Sequence, residues 1–586
     1  MNLRSFLPAL DWLPHYHRKD LKGDLSAGLT VGVMLIPQGM AYAMIAGMPP
    51  IYGLYASTVP LVIYALLGTS RQLAVGPVAM VSLLTAAGIG ALAEAGTETY
   101  IALAITLAFF VGLIQFLLGV FRLGFLVNFL SHPVVSGFTS AAALIIGLSQ
   151  LKHLLGINLP GGHHVHQILI AAFRQIGEVH LTTFAIGIGG ILIIKGIKKI
   201  NKSIPGPLLA VVFGILAVWG FGLADSGVKI VGEVPSGLPS FSVPMLSIES
   251  FRTLMPVAVA IALVSFMESI AVAKAIQARH KNYKVVSNQE LIALGAANLG
   301  GAFLQAFPVT GGFSRTAVND QAGAKTGMAS IISAALILLT LLFLTPLFYY
   351  LPQAILASVI MVAVFGLIDF KEPVHLWRVN RADFWMLMAT FVATLTLGIE
   401  EGILVGVTLS LAMVVYQTTR PHAAVLGRVK GTNYYRNVGR FDAEHLEVRP
   451  DVLIFRFDAQ LYFANIAYFK ETLEDLMVKK GTALKAIVID AVAINKLDSS
   501  ALHALHDFVS DTKGKGIAVY FATVKGPLRD AMVKAHLLEY IGEDNFFMSV
   551  QDAMDHYDRD EAARQNQHPH RAYTLQTNVG ADGRRH

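Results

Sequence analysis

One short stretch of the chain carries chemistry where its neighbours carry none. Residues 307–325 read FPVTGGFSRTAVNDQAGAK, a polar, glycine-broken run among long apolar segments. Arg315 stands between Ser314 and Thr316, and Gly311 and Gly312 stand where a helix could begin. An arginine at membrane depth costs roughly 2.5–3.5 kcal/mol on insertion scales, so it generally faces a cavity or a partner. A helix starting at the glycines would aim its unpaired N–H groups and the positive end of its dipole at the same point as the guanidinium. That convergence favours an anion. A glycine-kinked helix, with an arginine that snorkels or pairs structurally, is the other reading of the same residues.

Glu268, in ALVSFMESIAVAKA, is the second intramembrane ionisable group, flanked by Ser265 and Ser269. Its natural partner is the nearest cation, Arg315. A switchable pair follows: an ionised Glu268 competes with the anion for Arg315, and a protonated one releases Arg315 to it. Proton and anion then strengthen each other's binding by the same factor, the thermodynamic core of symport. A static ion pair holding two helices together is the alternative. Gln38 follows Pro37 in TVGVMLIPQGMAYAMIAGMPPIYGLYAS. Pro37 should break the helical ladder, and the Gln38 amide can donate to an oxyanion or to a neighbouring helix. Tyr42, Tyr52 and Tyr55 read as packing residues. Val75-Gly76-Pro77-Val78 has the form of a half-helix start, because proline is tolerated in a first turn.

The elements that must position these residues are apolar runs near 26–46, 52–68, 76–91, 100–120, 125–149, 181–199, 205–223, 253–274, 287–305, 313–324, 327–346, 352–368, 382–399 and 401–419, about fourteen in all. The third and tenth are interrupted by glycine or proline and fall short of the roughly 20 residues a full span needs. They occupy corresponding places in the two sets of seven, the pattern of an inverted-repeat transporter with its site at the midplane. Two facing half-helix N-termini contribute about half a positive charge each. With Arg315 that makes about two, which suits a divalent oxyanion and leaves a monovalent one open.

Composition agrees. The chain has 586 residues with only 14% charged, and its mean hydropathy is +0.57; these values describe a polytopic membrane protein. Apolar runs end near residue 420, and the remainder is charged and reads as soluble. There is no cysteine, which excludes disulfides, thiol catalysis and cysteine zinc sites. The net charge of +6 is modest, and the basic residues sit in loops, so no nucleic-acid partner is called for. Lys195, Lys198, Lys199 and Lys202, then Lys274, Arg279, Lys281 and Lys284, then Lys371, Arg378 and Arg381 fall in alternate loops; Glu94, Glu98, Glu400 and Glu401 fall in the others. The positive-inside rule therefore places both termini in the cytoplasm. The basic, amphipathic start lacks the form of a signal peptide.

PQGMAYAMIAGMPPIYGLYAS, GTSRQLAVGPVAMVSLL, FMESIAVAKA and FSRTAVNDQAGAKT together resemble the sulfate permease (SulP) family, the solute-carrier-26-type anion transporters, and most closely the bacterial and plant sulfate-transporter branch. The resemblance covers nearly the whole chain. It implies fourteen segments in two inverted repeats of seven, divided into core and gate domains, with the anion between the third and tenth half-helices. It implies a site of Gln38, Ala79, Phe313 (through its backbone N–H), Ser314, Arg315 and Glu268, coupling to protons, sodium or a counter-anion, and a homodimer; the expected location is the inner (plasma) membrane, with Glu268 as the proton-coupling group. Sodium-coupled bicarbonate members carry a shorter acid where this chain has Glu268, which favours proton over sodium coupling.

VLIFRFDAQLYFAN, KAIVIDAVAI and IAVYFATV alternate with helical patterns, the signature of a small α/β domain. It resembles a STAS domain. The turn NKLDSSALHAL matches the place where anti-sigma-factor antagonists carry a phosphorylatable serine, but Ala501 replaces their glycine. Asp498 and Ser499 are either regulatory or simply a helix cap. The expected organisation is an N-terminal segment to residue 24, a transport domain over 25–420, a linker over 421–440, a STAS domain over 441–560 and a disordered tail over 561–586. His163, His164 and His166 in GGHHVHQ have metal-like spacing without a supporting carboxylate. No triad or phosphate loop is present, so neither an enzyme nor a cofactor is expected. The functional expectation is proton-coupled sulfate symport by alternating access. The other readings are a sodium- or proton-coupled bicarbonate or dicarboxylate carrier, an exchanger, and, in a different class, an anion channel or a STAS-linked membrane sensor.

Overall fold

The computed structural model describes residues 7–125, 131–157, 165–200, 205–280 and 282–566. It divides into two compact units at Leu411/Ala412, close to where the apolar runs end. His163, His164 and residues 567–586 lie outside the described residues, as does the side chain of His166.

The first unit is helical. A short α1 (Ala9–Trp12) precedes α2 (Arg18–Ile45), α3 (Pro50–Tyr55) and α4 (Val59–Leu67), then strand β1 (Val75–Gly76) and α5 (Ala79–Gly90). Next come α6 (Glu98–Val120), α7 (His132–Ser149), α8 (Leu181–Ile200) and α9 (Gly206–Gly220). The second half repeats the plan with α10 (Ile248–His280), α11 (Ser287–Ala302), β2 (Thr310–Gly311), α12 (Phe313–Gln321), α13 (Met328–Leu339), α14 (Gln353–Phe365), α15 (Arg381–Thr396) and α16 (Ile399–Thr419). Helix length and apolarity single out seven described helices as able to cross a bilayer, fewer than the fourteen apolar runs. The half-helix α5 and the shorter α9 and α14 account for part of the difference. α2 does not break at Pro37 as expected; it runs on to Ile45. The ring removes one hydrogen bond, and the buried turns on either side hold the helix through tertiary packing.

Packing between helices pairs corresponding elements of the two halves. α13 lies on α2 as α6 lies on α10, and α7 lies on α15 as α14 lies on α8. The helix pair α6 with α11 meets through Gly112 and Gly295: a Cβ on Gly112 would come 2.8 Å from the Gly295 carbonyl oxygen. Small residues that let backbones approach are the usual means of packing helices in lipid, where no hydrophobic force drives association. α2–α6 and α10–α13 form the core domain that carries the half-helices, while α7–α9 and α14–α16 form the gate. The two meet where α14 and α9 touch α2 and where α7 touches α5.

Each half-helix is tied by a buried carboxylate from the opposite repeat. Glu290 of α11 is fully buried and accepts from the Tyr64 hydroxyl at 2.6 Å, the Thr69 amide and hydroxyl at 2.7 and 2.6 Å, and the Ser70 amide at 3.1 Å. This fixes the loop that leads into β1. Asp24 of α2 accepts from the Lys325 and Thr326 amides at 2.6 and 3.0 Å, fixing the loop after α12. Glu290→Gln removes the charge that strengthens these four bonds and forces the Tyr64 hydroxyl to turn from donor to acceptor, a loss of about 1–3 kcal/mol. The unfolding temperature of the purified protein is expected to drop by several degrees, measured by scanning fluorimetry in detergent.

The second unit is an α/β domain with a sheet ordered β4-β3-β6-β7-β8-β9. Its strands are β3 (Ala423–Val429), β4 (Tyr435–Asn437), β5 (Leu446–Glu447, paired to β3), β6 (Val452–Phe457), β7 (Ala486–Asp490), β8 (Ala518–Ala522) and β9 (Phe546–Phe547). β6 to β9 run parallel. One face packs Phe455 and Phe457 against Phe469 of α17 (Ile466–Lys480) and Leu505 and Phe508 of α18 (Ser499–Gly514). The other packs Ile454, Val488 and Tyr520 against Met554 of α19 (Val550–Asn566). Arg449, 2.7 Å from Asp451, holds that carboxyl at about 2. Residues 421–440 are not a linker. They contain β3 and β4, and β3 pairs antiparallel with β6 through Ala423–Phe457 and Val425–Phe455. AAVLGRV hides its strand character because both of its faces are apolar, Ala424 and Leu426 packing on one side of the sheet and Ala423 and Val425 on the other. The expected tail also begins too early, since α19 continues to Asn566.

Candidate functional site

β1 and β2 form a two-residue antiparallel ribbon, with Val75 opposite Gly311 and Gly76 opposite Thr310. α5 and α12 begin just after the two strands, so their N-termini stand at the two ends of one ribbon. Val78 and Gly312 are the N-cap positions; both are extended, and neither supplies a side-chain cap. The first returning bonds are Ser82 N–H to the Val78 carbonyl at 2.9 Å and Thr316 N–H to the Gly312 carbonyl at 3.0 Å. The amides of Ala79 to Val81 and of Phe313 to Arg315 therefore have no acceptor inside their own helices.

Arg315 lies in the first turn of α12 and is 2% exposed. One terminal nitrogen, Nη1, donates to the Pro77 carbonyl at 2.7 Å, reaching back to the residue before α5's cap. The other, Nη2, and Nε are buried without a partner. Buried polar groups are nearly always hydrogen-bonded, and an exception calls for an ion or a water. Backbone shape makes the space for this guanidinium. A Cβ on Gly312 would sit 2.8 Å from Nη2 and 2.9 Å from Cζ. Gly76, at φ +151°, adopts a conformation that side chains disfavour and faces Nη2 as well. Gly312→Ala is expected to displace the guanidinium and weaken anion binding at least tenfold while the protein still folds, measured by titration calorimetry.

α10 buttresses the ribbon. The Ser269 hydroxyl receives the Gly311 amide at 2.8 Å and lies 2.7 Å from the Thr310 hydroxyl, which donates to the Ser265 carbonyl at 2.7 Å. Behind it, Asn298 of α11 clamps Val309 through both backbone groups at 2.8 and 3.0 Å. Glu268 stands half-buried beside Ser269. It lies within electrostatic reach of Arg315, together with Tyr42. No ion pair joins Glu268 to Arg315 among the described residues, so the expected pair stands open in this structure. Gln38 is buried on α2. It shares a helix face with Leu35, whose methyls would touch a Cβ on Gly76, and with Tyr42. Ala79 is buried at the start of α5, whereas the side chains of Phe313 and Ser314 are exposed. The Phe313 amide is one of the three at the start of α12 that lack an acceptor within the helix.

Sequence reasoning missed the Pro77 carbonyl as a guanidinium acceptor, the roles of Gly76 and Thr310, and Tyr42 as a neighbour of both charges. Only the VGP and TGG spellings hinted at them. In the second unit, Asp498 caps α18: its carboxylate accepts from the Ala501 amide at 2.8 Å and the Phe463 amide at 2.8 Å. Ser499 is exposed at the first position of that helix.

Comparison with known proteins places this geometry. A model of the Sulfate permease family matches residues 21–390, and a STAS domain model matches residues 445–553. The chain is 39% identical over 568 residues to Sulfate transporter 4.1, chloroplastic, of Arabidopsis thaliana, covering 94% of this chain and 82% of that one. It is 35% identical over 579 residues to High affinity sulfate transporter 2 of Stylosanthes hamata, covering 95% and 87%. Among solved structures, the murine Solute Carrier 26 family member A9 anion transporter in the inward-facing state superposes with a TM-score of 0.87 at 26% identity, over 94% of each chain. The transmembrane domain of the cyanobacterial bicarbonate transporter BicA shares the fold, with a TM-score of 0.59 at 23% identity over 67% of this chain and 98% of that one.

Proposed function

The chain belongs to the sulfate permease family, and from that premise we propose that it is a secondary active transporter of an inorganic oxyanion, sulfate, driven by protons and working by alternating access. The observation that carries the reading is the buried Arg315 with two unpartnered nitrogens, set against two uncapped half-helix N-termini. Sulfate offers four acceptor oxygens. Two can take Nε and Nη2 side by side, the planar fork arrangement at which arginine excels. The others face the amides of Phe313 and Ser314 and those opening α5 at Ala79, with the Gln38 amide closing the site from α2. The sulfate transporters of Arabidopsis and Stylosanthes, similar along almost the whole chain, support this choice of anion.

Glu268 is the proton carrier. Beside a filled site its charge opposes the anion; protonated, it no longer does, so the two ligands enter together. The core domain then moves against the gate along the α2–α14, α2–α9 and α5–α7 contacts, carrying both half-helices as one body. In this reading the protein is a homodimer in the inner (plasma) membrane with both termini cytoplasmic, and the STAS domain serves domain contact or dimerisation.

The test is uptake of radiolabelled sulfate into proteoliposomes of the purified protein under an inward proton gradient. Accumulation that collapses with a protonophore is expected. Absence of sulfate uptake, with sodium-dependent flux of bicarbonate or fumarate instead, would overturn both substrate and coupling.

A further inference from the structure

One buried polar side chain near the ribbon has no part in the transport reading. Gln115 is the sole amide side chain in α6 and is fully buried. Its Nε2 donates to the Ser265 hydroxyl of α10 at 2.8 Å and to the Ala262 carbonyl at 3.3 Å. Its Oε1 accepts from Asn298 of α11 at 3.1 Å. On the basis of that same transport reading, we propose that Gln115 is a positioning residue for the coupled binding of anion and proton. It locks α10 to α11, so that β2, gripped by both helices, holds the start of α12 at a fixed place relative to Glu268.

The bonds close a ring. Gln115 reaches Ser265, whose carbonyl accepts from the Thr310 hydroxyl at 2.7 Å. Thr310 follows Val309, which Asn298 holds through both backbone groups, and Asn298 returns to Gln115. The orientation of both amides is forced. The Val309 N–H can only donate, so Asn298 turns its oxygen there and its nitrogen toward Gln115. Gln115 must then present its oxygen to Asn298 and its nitrogen to α10, where the Ala262 carbonyl can only accept. An inverted amide at either position would set donor against donor. Gln115, Ser265, Asn298, Val309 and Thr310 are each at most 1% exposed, so no water competes for these bonds.

Stability alone does not account for Gln115. Interhelical hydrogen bonds in membranes contribute little on average, because the unfolded chain in lipid also finds partners. Without Gln115 the two Asn298 amide hydrogens keep the Leu294 and Val309 carbonyls at 3.1 and 3.0 Å, and the Ser265 hydroxyl keeps the Ile261 carbonyl. Gln115→Leu therefore orphans no donor in the ring and is nearly neutral for folding. What it removes is the tie between the two grips on β2. α6 packs against α10 and α11 more extensively than those two pack against each other, and Gln115 is the polar link across both contacts. Ser265 lies one turn before Glu268 on α10, and Thr310 lies three residues before Phe313, the first residue of α12. The ring thus sets the spacing between the proton carrier and the cradle formed by Arg315 and the open amides.

The test compares the full-length wild type with Gln115→Leu in detergent, with Gln115→Met as a second apolar exchange of similar size. In sulfate-free protein the unfolding temperature is expected to stay at the wild-type value. Hydrogen exchange should quicken in the peptide over 307–316, reported by the amides of Val309, Gly311 and Gly312, which are bonded to Asn298, Ser269 and Ala74. By titration calorimetry sulfate should bind roughly 2- to 30-fold more weakly, the effect typical of a residue lying between two coupled sites. The gain in sulfate affinity on acidification should shrink. A lowered unfolding temperature with exchange raised throughout the core domain would make Gln115 a structural residue only and overturn the proposal. Unchanged exchange over 307–316, unchanged sulfate affinity or an undiminished gain on acidification would overturn it too. Failure of the transport reading shows differently: the wild type itself would bind no sulfate, or bind it equally at every pH. The exchange measurement then decides alone, quickened exchange over 307–316 supporting the tie and unchanged exchange overturning it.

Discussion

Arg315→Ala is expected to abolish sulfate binding without lowering the stability of the empty protein. Truncating one partner of a buried charge pair costs about 2–5 kcal/mol, roughly 30- to 4000-fold in affinity. Nothing else on the ribbon replaces the lost charge, because the half-helix dipoles act through backbone groups that remain. The stability half of the prediction runs against intuition. In the empty site Arg315 satisfies one nitrogen on Pro77 and leaves Nε and Nη2 unpaired, and an incompletely paired buried cation is a cost to the fold. Removing it loses one hydrogen bond and relieves a larger desolvation penalty. Unfolding in sulfate-free detergent should therefore occur at or above the wild-type temperature, while the rise that sulfate gives the wild type disappears. Arg315→Lys separates charge from shape: a single ammonium cannot hold Pro77 and present a planar fork to the anion, so binding should be weak although the charge survives. A variant that unfolds early and still binds sulfate would mean that Arg315 is a structural strut.

Much of this site could be read from the chain because membranes punish irregularity. Arg315, Gly312 and the VGP turn stand out only because the runs around them are apolar, and their matched positions announced two half-helices before any contact was known. Chemistry that depends on approach across the fold was not legible. That Pro77 spends a carbonyl on Arg315, that Thr310 bridges Ser265 and Ser269, and that Asn298 clamps Val309 are meetings of residues far apart in sequence. Glu268 shows the limit most clearly: its identity and depth suggested a pair with Arg315, but which state the pair occupies depends on helix placement that no periodicity encodes. The strand Ala423–Val429 was missed for a different reason. Ala424 and Leu426 pack on one side of the sheet and Ala423 and Val425 on the other, so the apolar–polar alternation that marks a half-buried strand is missing, and its pairing with β6 decides the matter.

Glu268→Gln should uncouple transport without stopping it. The amide has nearly the shape of the acid and the charge of its protonated form, so the site should rest in the state that accepts the anion. Downhill sulfate uptake and exchange should continue at rates near wild type. Accumulation against a gradient should vanish, because one pH unit supplies about 1.4 kcal/mol per proton only if a group takes up and releases that proton. In the wild type, a one-unit inward gradient with one proton per cycle sustains up to about tenfold extra accumulation, and sulfate affinity should weaken as pH rises and Glu268 loses its proton. Both dependences should flatten in the variant, measured as paired uptake and binding curves across pH. The open geometry matters to this expectation. Were Glu268 locked to Arg315 as a static strut, replacing it would leave a buried cation uncompensated, and the protein would be destabilised instead of uncoupled. With Arg315 already held by Pro77 and no ion pair to Glu268, the fold does not depend on that carboxylate, leaving it free to exchange its proton as the anion comes and goes.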